Sequence, residues 1–331
     1  MKAGSFTTLL VLLIVMLGVL TWYGGDFFSP DPDRDPGSRE EADPPPRKRI
    51  ERQNEPVDSM VSNQRPALDE LDSFSTLREE LILQSLSESK VLKDLTLGFS
   101  SVRQMERFRD EADRNGIRIL GEITGLATLR VRITDLARAS EFMDEWKDEV
   151  SAHYNYRISQ PELPREEVVE GEKEFGGQAP DWLGAPADRE NWGRGIKVAV
   201  IDSGIDPSHP ALKGAEVAEF SLVKGSPTSS GHGTAVASII VGNSENQKGI
   251  APAASILSVR VLNKDGEGDS FTVARGIVEA VDRGADVINM SLGGESSSSV
   301  LEQAVRYAQS NGVTVVAAVG NEGQEGVAYP A

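Results

Sequence analysis

Cysteine is absent from the 331 residues. Its absence excludes disulfides, a cysteine nucleophile and a lipid-modified cysteine anchor, but leaves the compartment open. Positive charge is scarce: 34 Lys and Arg stand against 52 Asp and Glu, for a formal net charge of -18. That balance argues against a nucleic-acid partner, which needs a basic surface, and fits a soluble exported protein. Histidine is rarer still, with three in the chain. Long uncharged runs are equally few. Phe6 to Tyr23 is the one stretch long and apolar enough to be a membrane-span candidate. Its apolar centre, Leu9 to Leu20, also suits a signal-peptide core, but the aromatics Trp22, Tyr23, Phe27 and Phe28 crowd the exit where small residues would mark cleavage. An uncleaved anchor is therefore favoured over a cleaved signal within residues 1–23. Charge sets orientation poorly, with Lys2 on one side and Arg34 and Arg39 on the other.

Beyond residue 23 the composition changes in blocks. Residues 24–66 hold Pro30, Pro32, Pro36 and Pro44-Pro45-Pro46 among many charges, a composition that cannot bury a core and reads as a linker. Arg47-Lys48-Arg49 within it reads as a solvated charge run, with a processing site as the alternative. Leu68, Leu71, Phe74, Leu77 and Leu81 keep helical spacing and predict an amphipathic helix leading into the next block. From Val91 to Ile158 the apolar period switches repeatedly: strand (Leu95, Leu97, Phe99), helix (Val102, Met105, Phe108, Ala112), two strands around Thr124-Gly125, helix (Leu136 to Trp146), strand (Ala152 to Ile158). The order βαββαβ is the split, ferredoxin-like pattern, which hosts many functions. The leading helix and this unit make a block at 67–158, and 159–180 is a polar connector.

From residue 181 the pattern changes to α/β. Val198 to Ile201 is an apolar run of the kind a strand buried on both faces needs, and it ends in Asp202 before a Ser203-Gly204 turn. Open α/β sheets place their chemistry at the carboxyl ends of such strands, although an acid there alone reads equally well as a turn or helix cap. A second segment, Ser230-Gly231-His232-Gly233-Thr234, puts a histidine between glycines at the start of an apolar helix. A third, Val313 to Val319, is another buried run, with Gly320-Asn321-Glu322-Gly323 after it. Strands near 256–261 and 287–290, alternating with helices from about His232, Phe271 to Arg283 and Val300 to Ser310, predict a parallel sheet with helices on both faces. A nucleotide-binding reading needs a G-x-G-x-x-G turn after the first strand, and Asp202-Ser-Gly-Ile-Asp-Pro207 is not one.

These three segments, with Val287-Ile-Asn-Met-Ser291-Leu292-Gly293-Gly294 between the last two, closely resemble the subtilisin-like serine proteases, from about Trp182 to Ala331. The resemblance implies an incomplete subtilisin-like catalytic domain at 181–331, and it makes the preceding α+β unit that family's prodomain, a folding assistant and inhibitor. It implies that Asp202 orients His232, that His232 is the general base and that Asn321 donates to an oxyanion, in an Asp-His-Ser mechanism acting on peptide and protein substrates. It assigns Ser291, Leu292, Gly293 and Gly294 to main-chain pairing with an extended substrate. Ala318 and Gly320, with Ala317 and Ala328 nearby, fall to the pocket for the side chain before the cut. The chemistry it implies requires no cofactor or catalytic metal and leaves room for a structural calcium. The family's first calcium site, however, often has an acid where this chain reads Ala211 after His209-Pro210, and the loop Gly242 to Lys248 is short. The family's nucleophile motif, Gly-Thr-Ser-Met-Ala, is not found; Ser291 and the run Ser296 to Ser299 lie elsewhere in the pattern. The expectation is a precursor's N-terminal portion, inactive as it stands, exported and either secreted or anchored through 6–23. The alternative is a pseudoprotease that binds peptides without cutting them.

Overall fold

The computed structural model describes residues 91–160, 184–186, 188–224, 231–244, 248–294, 296–319 and 330, the side chains of 91–93 aside. The expected anchor or signal (1–23), linker (24–66), leading helix and nearly all of the connector lie outside them. Among the described residues no helix is long and apolar enough to cross a membrane.

The first unit runs β1 (Val91–Phe99), α1 (Val102–Ala112), β2 (Ile117–Ile123), β3 (Thr128–Ile133), α2 (Leu136–Trp146) and β4 (Val150–Ser159). Its strands order β2-β3-β1-β4, all neighbours antiparallel, as the βαββαβ pattern expects. Each helix starts where a side chain satisfies free N–H groups. Ser101 accepts from Gln104 N, and Asp135 from the amides of Ala137 and Arg138. The spacing that predicts the helices also sets their buried faces: Met105, Phe108 and Ala112 on α1, and Ala139, Phe142, Met143 and Trp146 on α2. Phe99, Phe108, Phe142 and Trp146 stack in tilted and edge-on contacts at the centre of this core.

The second unit holds β5 (Lys197–Asp202), β6 (Val217–Ser221), α3 (His232–Val241), β7 (Ser255–Arg260), β8 (Glu267–Asp269), α4 (Ser270–Asp282), β9 (Val287–Met290), α5 (Ser299–Ser310) and β10 (Thr314–Ala317). Five of these strands form a parallel sheet ordered β10-β9-β5-β7-β6. Alternation along β5 divides its side chains between the faces: Val198 and Val200 lie in one apolar cluster with Ala237, Ile240 and Val241 of α3, while Ala199 and Ile201 belong to the cluster that holds α4 and α5. After β7 the chain crosses by α4 to the far side of β5, so the order reverses there, at the carboxyl end of the strand where open α/β sheets place their sites.

The structure departs from the sequence reading at three strands. β6 is additional; its side chains are half-buried or exposed, and an edge strand needs no apolar run. The last strand is shorter than 313–319, since pairing with β9 covers only Thr314–Ala317. β8 is not part of the parallel sheet. It pairs antiparallel with β4, Arg157 to Asp269 and Ser159 to Glu267, so Ser159 and Gln160, expected to open the connector, continue the paired strand.

Candidate active site

Asp202 ends β5 with its side chain fully buried. Its Oδ1 accepts from Ser203 N at 2.7 Å and Ser203 Oγ at 3.0 Å, the local turn role an acid there can play. Both carboxylate oxygens also lie 2.9 Å from Nδ1 of His232. That imidazole is 12% exposed and occupies the first position of α3. Burial pushes its pKa down, but the hydrogen bond it donates to Asp202 and the carboxylate's charge together outweigh burial and hold it above 6.5.

The glycines on either side make this approach sterically feasible. Gly231 caps α3 in the left-handed region (φ 85°). At Gly233 a Cβ would fall 2.4 Å from the carbonyl oxygen of Gly204, so any other residue would push α3 off the Asp202 turn. Thr234 Oγ1 accepts from Asp206 N at 2.9 Å, pinning the loop after β5 to the first turn of α3. With Nδ1 donating to Asp202, Nε2 is left as the basic nitrogen.

β9 leads into the segment expected to bind substrate. Ser291 is buried and its Oγ accepts from Asn289 Nδ2 at 3.1 Å; Leu292 is fully buried. Gly293 exchanges two main-chain hydrogen bonds with Ser159, each 3.0 Å. On its other side this same strand pairs with β8, and Gln160 N donates to Gly266 O at 3.0 Å. The edge is therefore filled by the chain's own residues 157–160, lying between two rails. Gly294 admits them: a Cβ there would sit 2.7 Å from Ile158 Cδ1 and 3.0 Å from Arg157 O. Ala318 is buried, its amide bonded to Met290 O. Asn321 and Gly320 lie outside the described residues.

Residues that periodicity does not single out carry the rest of the contact between units. Asn155 Oδ1 accepts from Ser270 Oγ (2.8 Å) and Phe271 N (3.1 Å), so β4 caps α4 from another part of the chain. Asp269, the residue at the N-cap of α4, accepts from Thr272 N and also from Asn155 and Arg130. Ile123, Leu126 and Ile158 of the first unit share one apolar cluster with Phe271, Val278 and Leu292 of the second. The sequence signal for the polar contacts is only an Asp-Ser pair opening a helix.

Among the described residues no group of three or more acidic or histidine side chains stands ready to hold a metal ion, near Ala211 or elsewhere. Ala211 contributes a buried methyl group and its carbonyl is taken by Asn243 N at 2.9 Å. Nearby, the buried guanidinium of Arg189 donates to the carbonyls of Gly249 (2.8 Å), Lys248 (3.0 Å) and Pro186 (3.0 Å). Replacing Arg189 by Ala leaves these carbonyls without their donor and is expected to lower stability by about 2–4 kcal/mol. Urea unfolding of the two chains measures this, and an unshifted midpoint would refute it.

Residues 193–331 match the model of the Subtilase family. Thermitase of Thermoactinomyces vulgaris is 45% identical over 145 residues, spanning 42% of this chain and 52% of its own. Subtilisin E of Bacillus subtilis (strain 168) is 46% identical over 147 residues, 42% of this chain and 39% of its own. The chain thus spans about half the length of the curated relatives it matches. Fervidolysin of Fervidobacterium pennivorans, a keratinolytic enzyme related to subtilisin, superposes with a TM-score of 0.58 at 21% identity, over 74% of this chain and 42% of its own. That likeness is one of fold, and it extends beyond residues 193–331.

Proposed function

We propose that the subtilase segment, residues 193–331, is the part of a serine-type endopeptidase that holds the general base and the acid orienting it, the nucleophilic serine not being among these 331 residues. The observation that carries the reading is the contact of His232 Nδ1 with both oxygens of a fully buried Asp202, each at 2.9 Å. A serine hydroxyl attacks a peptide carbonyl poorly until a base removes its proton. Nε2 of His232 takes that proton and later returns it to the leaving amine, while Asp202 fixes the tautomer and stabilises the imidazolium. Asn321 gives a side-chain N–H to the oxyanion, and Ser291, Leu292, Gly293, Gly294, Ala318 and Gly320 form the surface for an extended peptide. No cofactor enters these steps. The protein is exported, secreted or anchored through 6–23.

The first unit acts as an inhibitory prodomain in this proposal. Residues 157–160 lie between β8 and Gly293, the place an extended substrate would take, and their pairing there supports the reading. Two measurements test the whole. The 331-residue chain as written should turn over no protein substrate and show no processing in 159–180, whereas the complete protein should do both. Specific cleavage by the shorter chain that disappears in His232→Ala would require a nucleophile within it. Binding of peptides by the complete protein without turnover would instead establish the non-cutting alternative. For the prodomain, the first unit added to processed enzyme should slow peptide hydrolysis; an unchanged rate at saturating concentration would refute inhibition.

A further inference from the structure

Among the described residues two charged contacts join the units, Arg130–Asp269 and Arg157–Glu267, and the more buried of them is made by Arg130. Arg130, on β3, donates from Nε and Nη2 to Asp94 Oδ2 at 3.0 and 2.7 Å. Its Nη1 donates across the interface to Asp269 Oδ2 at 3.0 Å. The other oxygen of Asp94 is taken by Arg132 Nε at 2.7 Å, and the Asp94 side chain is only 3% exposed. Asp94 thus fixes the plane of the Arg130 fork from within the first unit, so the nitrogen that reaches α4 is positioned by bonds that do not depend on the partner.

We infer that Arg130, held by Asp94, is a specificity-determining residue of this interface: it selects a partner with a carboxylate at the N-cap of α4. The inference rests on the reading of residues 91–159 as a unit that docks on the α/β segment to inhibit it, and names how that docking discriminates. A helix N-cap is served about equally well by Asn, Asp or Ser, so capping alone does not require an acid at Asp269. The charge balance does. Asp94 faces Arg130 and Arg132, and Asp269 supplies the second negative charge against those two cations. A neutral cap would leave Arg130 and Arg132 sharing the single carboxylate of Asp94, with Nη1 of the largely buried Arg130 facing the partner without a charged acceptor, the situation in which a charge pair discriminates most strongly. The neighbouring Arg157–Glu267 pair is about half exposed on both sides and contributes little selection.

The test is native-state hydrogen exchange on the full chain. The Ser159 and Gly293 amides, each donating to the other residue's carbonyl, and the Phe271 amide, donating to Asn155 Oδ1, report undocking; Leu97, in the middle of β1, reports the first unit alone. Arg130→Gln and Asp269→Asn, the latter keeping a good cap, are each expected to quicken the reporters about tenfold or more without quickening Leu97. The double variant should be no faster than the quicker single, because each change removes the same contact. Asp94→Asn should quicken the reporters in the parent chain and have no effect on the Arg130→Gln background. Effects that multiply in the double variant, or singles that leave the reporters unchanged, overturn the inference. Should Arg130→Gln also quicken Leu97, Asp269→Asn decides, since it leaves every atom of the first unit in place. Exchange is read without peptide hydrolysis, so a failure of the inhibition assay and a failure here are separate results.

Discussion

Replacing Asp202 by Asn in the complete protein is expected to lower kcat by about 10⁴ while leaving the fold intact. The side chains have the same shape, but an asparagine amide can donate an N–H to Nδ1 of His232, which puts the ring's own proton on Nε2. The nitrogen that must accept the serine proton is then occupied. A loss of less than about tenfold would show that Asp202 is only the turn residue its bonds to Ser203 also make it. The pH profile supplies an independent check. Catalysis needs neutral imidazole, so the acid limb of kcat/KM should lie above about 6.5 in the parent enzyme. In the variant the hydrogen bond and charge that raise the His232 pKa are gone and burial remains, so the limb should move down. Stability obeys the same linkage with a definite sign. A group whose folded pKa is raised contributes stability that is complete below its unfolded pKa, about 6.5 here, and lost as pH rises through the folded value. The Asp202–His232 contact should therefore stabilise the protein more at mildly acidic than at alkaline pH, as thermal unfolding in buffers on either side can read.

The second large effect is expected at Asn321. If its side chain donates to the oxyanion, the bond is made mainly in the transition state, so Asn321→Ala should lower kcat by about 10²–10³ with KM little changed. That range is the known one for a subtilisin's oxyanion asparagine. Steady-state kinetics separates the possibilities: a change confined to KM assigns Asn321 to substrate binding, and no change removes it from the site.

Much of this site is legible in the sequence because its parts lie where backbone constraints leave a mark. A fully buried parallel strand needs a continuous apolar run, so Val198 to Ile201 announces β5 and places Asp202 at its end. The close approach of α3 to the Asp202 turn needs glycine at 233, and that glycine is visible in the sequence. The two-period pattern of 91–158 gives the first unit for the same reason. What stays hidden depends on partners far along the chain. Glu267-Gly268-Asp269 has no intrinsic strand signal and becomes β8 only because β4 offers it main-chain groups. Asn155 and Asp269 are separated by 114 positions and meet through packing that no local window contains. Arg189 looks like any surface arginine until carbonyls of a distant loop surround it.

The pairing of β8 with β4 has a consequence for the order in which the chain acquires its structure. Arg157 and Glu267 stand 110 residues apart, and among the described residues β8 has no other strand neighbour. Closing a loop of that length forfeits roughly 4 kcal/mol of chain entropy by the (3/2)RT ln n relation, which three residues without apolar side chains cannot recover by themselves. β8 therefore has to form late, on an already assembled first sheet, and the start of α4 inherits that timing because Asn155 caps it. Once the chain is cut between the units, re-forming this edge becomes a bimolecular event that depends on concentration. Folding of the second unit would then be fast while the tether is intact and slow after it is severed.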